Sequence, residues 1–231
     1  MALSHYYDEK GKFLASRGEG TPVRRRVIFR DEFQKIVERD AWLRKIKRDL
    51  GLAVFDNIKL FGDSAEKPLS AASQQLTVQQ NGASVIAALV QAAQRTGKEQ
   101  GAYITFRGST GDLGYLVAQP TSSSATDFVF PIGTSDTRVV VPSNPTLQVI
   151  GTVHTHYADV AAMNRVTPGV RHSIAPQVSD LDRNSAKTNG IVVYAVDAAN
   201  VHKALPNGQP QNKLPRNLDI LKDAFDTFSR A

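Results

Sequence analysis

The segment Val149-Ile150-Gly151-Thr152-Val153-His154-Thr155-His156 constrains this chain more than any other. An apolar, β-branched run reads as a strand, and this one ends in two histidines one residue apart. Alternate residues of a strand share a face, so both imidazoles can converge on one point, a geometry that metal chelation uses. Two histidines do not complete such a site. An open catalytic metal usually takes three protein ligands and a water, so a carboxylate is needed nearby. Ser179-Asp180-Leu181-Asp182 supplies one, with Ser179 a natural N-cap and Asp182 one turn along the helix it starts. Asp180 competes for the same role. The chain has no cysteine, which excludes thiolate ligands, disulfides and cysteine nucleophiles together, so any metal must be held by His and carboxylate.

The rest of the chain reads as helices around β-rich runs. Tyr6 to Leu14 suggests two short strands around the turn Asp8-Glu9-Lys10-Gly11, a hairpin, with a loose arm as an equal alternative. From Asp31 to Leu50, Phe33, Ile36, Val37, Trp42, Leu43 and Ile46 recur at helical steps, with Asp31 as N-cap, Gly51 as stop and Trp42 on the packed face. Residues 67–80 are rich in Ser, Gln and Ala and read as a linker or surface loop, which divides the chain into an N-terminal extension, 1–80, and a second domain, 81–231. In that domain a helix over Ala83–Thr96 ends at Gly97. Strands are expected at Ala102–Phe106, Tyr115–Ala118, Asp127–Phe130, Arg138–Val141, Gln148–His154 and Ile191–Val196. A helix should begin near Ser179, and Asn217–Ser229 closes the chain as an amphipathic helix. The class is α/β or α+β, a mixed β-sheet flanked by helices. Tyr103 and Phe106 read as core, His5 and His202 carry no pattern, and His172 reads as a surface-loop residue of the segment before Ser179, with lining of the site the lesser alternative.

Glu99 lies where a helix gives way to a strand, in Gly97-Lys98-Glu99-Gln100-Gly101-Ala102-Tyr103-Ile104, and Gly101 permits close approach. A Glu before a Gly-containing apolar strand, then His154-Thr155-His156 at a strand end, then Ser179-x-x-Asp182, resembles the JAMM (MPN-plus, JAB) metallopeptidase signature. The likeness covers about Ala83 to Val196 and is nearest to the JAB-like domains of bacterial polymorphic toxins and secreted effectors. It implies a cytidine-deaminase-like fold with Zn2+ held by His154, His156 and Asp182. It also implies that Glu99 activates a water and that the Ser179 hydroxyl stabilises a tetrahedral oxyanion. Tyr157 stands where the family commonly has Pro, and residues 157–178 form a longer spacer than usual, with a Pro168-Gly169 turn that suits a lid. The alternative is a non-enzymatic MPN-like scaffold, which would not require Glu99. A nucleobase deaminase of the usual form needs zinc-binding cysteines and is excluded.

The resemblance points to a protein or peptide substrate and, for a toxin or effector, to an immunity or secretion-apparatus partner. Lys and Arg number 28 against 22 Asp and Glu, concentrated at Arg24-Arg25-Arg26 and from Arg44 to Arg48. Without aromatic residues interleaved, these charges read as a solvated face rather than a nucleic-acid surface. The first residues lack a basic stretch followed by an apolar run, and the longest apolar-rich stretch, Ala83–Ala93, is too short to span a bilayer. The expectation is a protein that is cytoplasmic when made, with export through a machine that needs no cleaved signal left open.

Overall fold

The computed structural model describes residues 3–18, 20–21, 23–49, 66–124, 128–156, 178–197 and 199–231. The expected lid, apart from Val178, lies outside the described residues, as do His172 and Gly51. By internal contacts the chain divides into residues 1–77 with 108–111, and residues 78–107 with 112–231.

In the first unit, β1 (Ser4–Tyr7) and β2 (Phe13–Arg17) form the expected antiparallel hairpin. Asp8 shapes its turn, accepting the Lys10 N–H at 3.0 Å and the Lys12 N–H at 2.7 Å, and Gly11 takes a φ of 79° that glycine adopts without a Cβ clash. Strand β3 (Arg24–Val27) runs parallel to β1. The helix α1 (Arg30–Asp49) follows, starting one residue before Asp31, so Asp31 sits in its first turn rather than at the cap. Residues 67–80 are not a linker. They form α2 (Glu66–Ala72), β4 (Gln74–Gln75), which pairs with β3, and β5 (Thr77–Val78). Leu69 anchors this stretch by burial with Tyr6, Ile28 and Phe33, and Arg26 fastens it through Ser73 Oγ at 2.6 Å and the Ser70 carbonyl at 2.7 Å. One anchoring leucine and one bridging arginine outweigh a composition that otherwise suits a loop. Trp42 also departs from expectation, being 61% exposed. Among the described residues the apolar cluster takes Phe33, Ile36 and Val37 and does not include it.

The second unit opens with α3 (Gly82–Thr96), capped by the Asn81 side chain on the Ala83 N–H and closed by Gly97 in the left-handed region. Then come β6 (Gly101–Arg107), β7 (Asp112–Val117), β8 (Ser122–Ser123), β9 (Phe128–Val129), β10 (Gly133–Ser135), β11 (Arg138–Val141) and β12 (Asn144–Thr155). The chain ends in α4 (Asp180–Asn189), β13 (Val192–Val196), β14 (Val201–Ala204), β15 (Pro210–Leu214) and α5 (Ile220–Phe228). The main sheet runs β15-β14-β13-β12-β6-β7, with β11 also on β12. It is mixed: β12 and β13 are parallel, and the pairs β12–β6, β6–β7, β13–β14 and β14–β15 are antiparallel.

Helices cover both sheet faces, which is why β13 is buried along its whole length instead of alternating. On one face α5 packs through Phe225 on Phe106, with ring centroids 5.3 Å apart, and Tyr194 and Lys203 both reach Asp223. On the other, Ala186 of α4 packs with Tyr103, Val193 and Ala195. Tyr103 and Phe106 are core, as expected. Strands β14 and β15 have no apolar period to announce them; β14 forms because it completes a buried sheet, and β15, with its Pro and Lys, is the edge. Among the described residues no helix is long and apolar enough to cross a membrane.

The close meeting of α3 and α5 gives a stability test. Replacing a helical Gly by Ala normally stabilises by roughly 1 kcal/mol. At Gly82, however, a Cβ would lie 2.4 Å from the Ile220 backbone nitrogen, and backbone cannot step aside as a side-chain tip can. Gly82→Ala is therefore expected to destabilise by about 1–3 kcal/mol, measured by denaturant unfolding; a gain in stability would refute the packing described.

Candidate metal centre

His154 and His156 project from the end of β12 on the face that α4 covers. In register, His154 stands beside Gly101 of β6 on one side and Ala195 of β13 on the other. The two imidazole centroids are 5.1 Å apart. Asp182 comes down onto them from the first turn of α4, with Oδ1 3.4 Å from His154 Nε2 and Oδ2 3.8 Å from His156 Nε2. One ligand atom from each of the three residues lies within 4.8 Å of the others, so His154, His156 and Asp182 form a group that could hold a metal ion. Their side chains are at most 19% exposed.

A local capping arrangement orients Asp182 in this place. Ser179 caps α4 in a reciprocal capping box: its Oγ accepts the Asp182 N–H, and Asp182 Oδ2 accepts the Ser179 N–H and hydroxyl, each at 2.8 Å. The box fixes the Asp182 rotamer and leaves Oδ1, turned to His154, to ligate. Asp180 is on the outside of the helix, 83% exposed and paired with Arg183. The Ser179 hydroxyl proton is thus directed at Asp182 in this arrangement.

Electrostatics prepare the donors. Burial pushes the His156 imidazole from an ordinary 6.5 down to about 4, His154 pushes the same way, and Asp182 opposes only in part. His156 is neutral at neutral pH, with a lone pair to offer. Burial by itself would raise the Asp182 carboxyl, but the interaction with His154 and the two Ser179 hydrogen bonds outweigh it and hold the group below the ordinary Asp value. Two neutral-capable nitrogens and one ionised carboxylate, gathered out of water, suit a cation better than they suit one another. Among the described residues the buried His154 Nδ1 has no hydrogen-bond partner.

Glu99 is not in the converging group. It is buried at 4% exposure on the segment leading into β6, two residues before Gly101, whose register partner is His154. The wall beside the site is aromatic. Phe130 is edge-on to His154 at 6.3 Å and contacts Phe128 and Tyr103, and a Cβ at Gly101 would strike both Phe128 and Phe130. The glycine is needed for ring approach rather than for backbone approach.

Sequence reasoning passed over His202. It is fully buried, donates through Nε2 to Asp197 Oδ2 at 2.7 Å and accepts the Lys213 N–H on Nδ1, and it shares the sheet face of His154 through Ala195. Asp197 Oδ1 also takes the N–H groups of Ala199 and Asn200. The run from Asp197 to Asn200 between apolar residues is an Asx-turn signal that could have revealed the hairpin and, with it, the histidine.

The His156 shift fixes a pH window for the metal-free protein. Folded His156 stays neutral down to about 4, whereas in the unfolded chain it protonates below 6.5. The unfolded chain binds more protons between those values, so stability is present above 6.5 and is lost as pH falls toward 4. Melting temperature measured in chelator should fall across this window and fall less in His156→Gln; equal slopes for the two proteins would contradict it.

No protein-family model matches this chain and no curated protein matches it, so its functional reading rests on this geometry and on the sequence motif.

Proposed function

We propose that this chain is a zinc-dependent peptidase or isopeptidase of the JAMM type, on the cytidine-deaminase-like JAB fold that its motif implies, acting on a protein or peptide as a bacterial toxin or effector domain. The observation that carries the reading is the convergence of His154, His156 and Asp182. Two ligands of a tetrahedral ion with bonds of about 2.0–2.1 Å lie roughly 3.4 Å apart. The 3.4 Å between His154 Nε2 and Asp182 Oδ1 is of that size. Two imidazoles with one carboxylate favour zinc over calcium or magnesium, which take more oxygens.

Zinc, when bound, supplies Lewis acidity toward an amide carbonyl and lowers the pKa of a coordinated water to about 7. Glu99 accepts the proton of the attacking water and returns it to the leaving nitrogen, so that the amine departs neutral. Ser179 fixes Asp182 through the capping box; it also lies at the positive end of α4, and stabilising an oxyanion there requires its hydroxyl to turn from Asp182 to the substrate. The aromatic wall of Phe128 and Phe130 keeps water from one side of His154.

The protein purified with zinc present should carry about one ion per chain, measured by elemental analysis, and lose it in His154→Ala. Glu99→Gln should keep metal content and melting temperature while turnover on a panel of peptides and isopeptide-linked proteins, or toxicity on expression, falls by ~10²-fold or more. A fully active Gln variant means that Glu99 is not the base. A wild-type protein that neither carries nor is stabilised by zinc removes the reading altogether.

A further inference from the structure

The residue between the two histidines faces away from them and is fully buried. In a regular antiparallel ladder, Thr155 and Gln100 would exchange both main-chain hydrogen bonds, as a closely spaced pair does. Only one is made. The Thr155 N–H donates to the Gln100 carbonyl at 2.9 Å, but the Gln100 N–H donates at 3.0 Å to the Thr155 side-chain Oγ1. A hydroxyl has replaced a carbonyl at the point where β6 and β12 part and where His156 turns to β13, its N–H on the Val196 carbonyl.

The other end of the same peptide unit is held too. The Glu99 carbonyl accepts Ser123 Oγ at 2.8 Å and Gln100 Nε2 at 3.0 Å, and the Glu99 N–H donates to the Ser124 carbonyl at 2.7 Å. The peptide plane joining Glu99 to Gln100 is thus gripped by two hydroxyls, Ser123 on its C=O and Thr155 on its N–H. A peptide plane fixed at both ends fixes the backbone torsion that aims the preceding side chain.

We propose that Thr155 and Ser123 are positioning residues for Glu99, setting its carboxylate against the metal that His154, His156 and Asp182 hold. Thr155 carries the greater share, because the strand that bears both histidines also bears the hydroxyl that fixes the base. Ligands and base are then registered to each other by one residue, and small movements of the sheet shift them together. The inference rests on the metal-dependent reading above.

Valine matches threonine in shape and lacks the acceptor, whereas serine keeps it, so Thr155→Val and Thr155→Ser separate the hydrogen bond from the packing. The probe is Co2+ alone, a paramagnetic ion that shifts nearby 13C resonances steeply with distance. In the full chain, the Glu99 side-chain carboxyl carbon is expected to show a large Co2+-induced shift, kept in Thr155→Ser and reduced roughly twofold or more in Thr155→Val. The Gln100 amide should exchange with solvent faster in Thr155→Val alone, and Co2+ stoichiometry should be unchanged in both. Ser123→Ala, a change at a partly exposed residue, should reduce the shift to a lesser degree, and it decides the matter if Thr155→Val does not fold. Wild-type Glu99 shifts in the Val and Ala variants would overturn the positioning role and leave the metal-site reading standing. If Co2+ perturbs the histidine resonances but not Glu99 in the wild-type protein, Glu99 is remote from the metal, and both readings fall.

Discussion

Strands β12 and β13 run parallel, and a parallel pair cannot be closed by a tight turn, so the chain leaving His156 must cross over the sheet before it can return as β13. The crossover carries α4. A helix on this return begins near the C-terminal end of the first strand, which is where the histidines are. The first turn of α4 therefore lies over His154 and His156, and Ser179 and Asp182 occupy that turn. Ligands at the carboxyl ends of strands are common in sheets of this kind for the same reason. The site follows from the direction of one strand pair as much as from the residues that fill it.

Gathering two imidazoles and a carboxylate in a place largely shielded from water is unfavourable unless each has a partner. Asp182 is satisfied by the capping box, which serves the helix end and the ligand orientation at once. His156 avoids the cost by remaining neutral. What is left over, the inward-facing lone pairs and one ionised oxygen, is what a cation would take up. The stability of α4's first turn and the readiness of the site are consequently coupled: loosening the cap would free the ligand.

The two sheet faces divide the labour. Under α5, Lys203 and Tyr194 converge on Asp223, with Lys203 Nζ at 2.8 Å and the Tyr194 hydroxyl at 2.5 Å, and burial with that carboxylate pushes the Tyr194 phenol well above its ordinary range. This polar network pins β14 to β13 from below. Across the same two strands, His202 and Asp197 close the β13–β14 turn on the site face. The register that one face secures is the register in which the other presents its imidazoles.

The sequence by itself determined the elements whose signals are local. Asn81 and Gly97 bracket α3, Ser179 caps α4, and the Val149–His156 run makes a strand, because caps and periodicity act within a few residues. Spacing on a strand and on a helix turn also marked His154, His156 and Asp182 as candidate ligands, whereas Glu99 joined them only through the family resemblance. Tertiary structure decided the rest. Leu69 turned an apparent linker into helix and strand, and Trp42, on the apolar side of its helix by sequence, is exposed. Strands β14 and β15 exist only because β13 has an edge to pair, and His202 finds Asp197 only once that hairpin closes. The choice of Asp182 over Asp180 likewise depended on which side of α4 turns to the sheet, and the side is set by Ala186 packing against β13, a contact between residues that no local pattern relates.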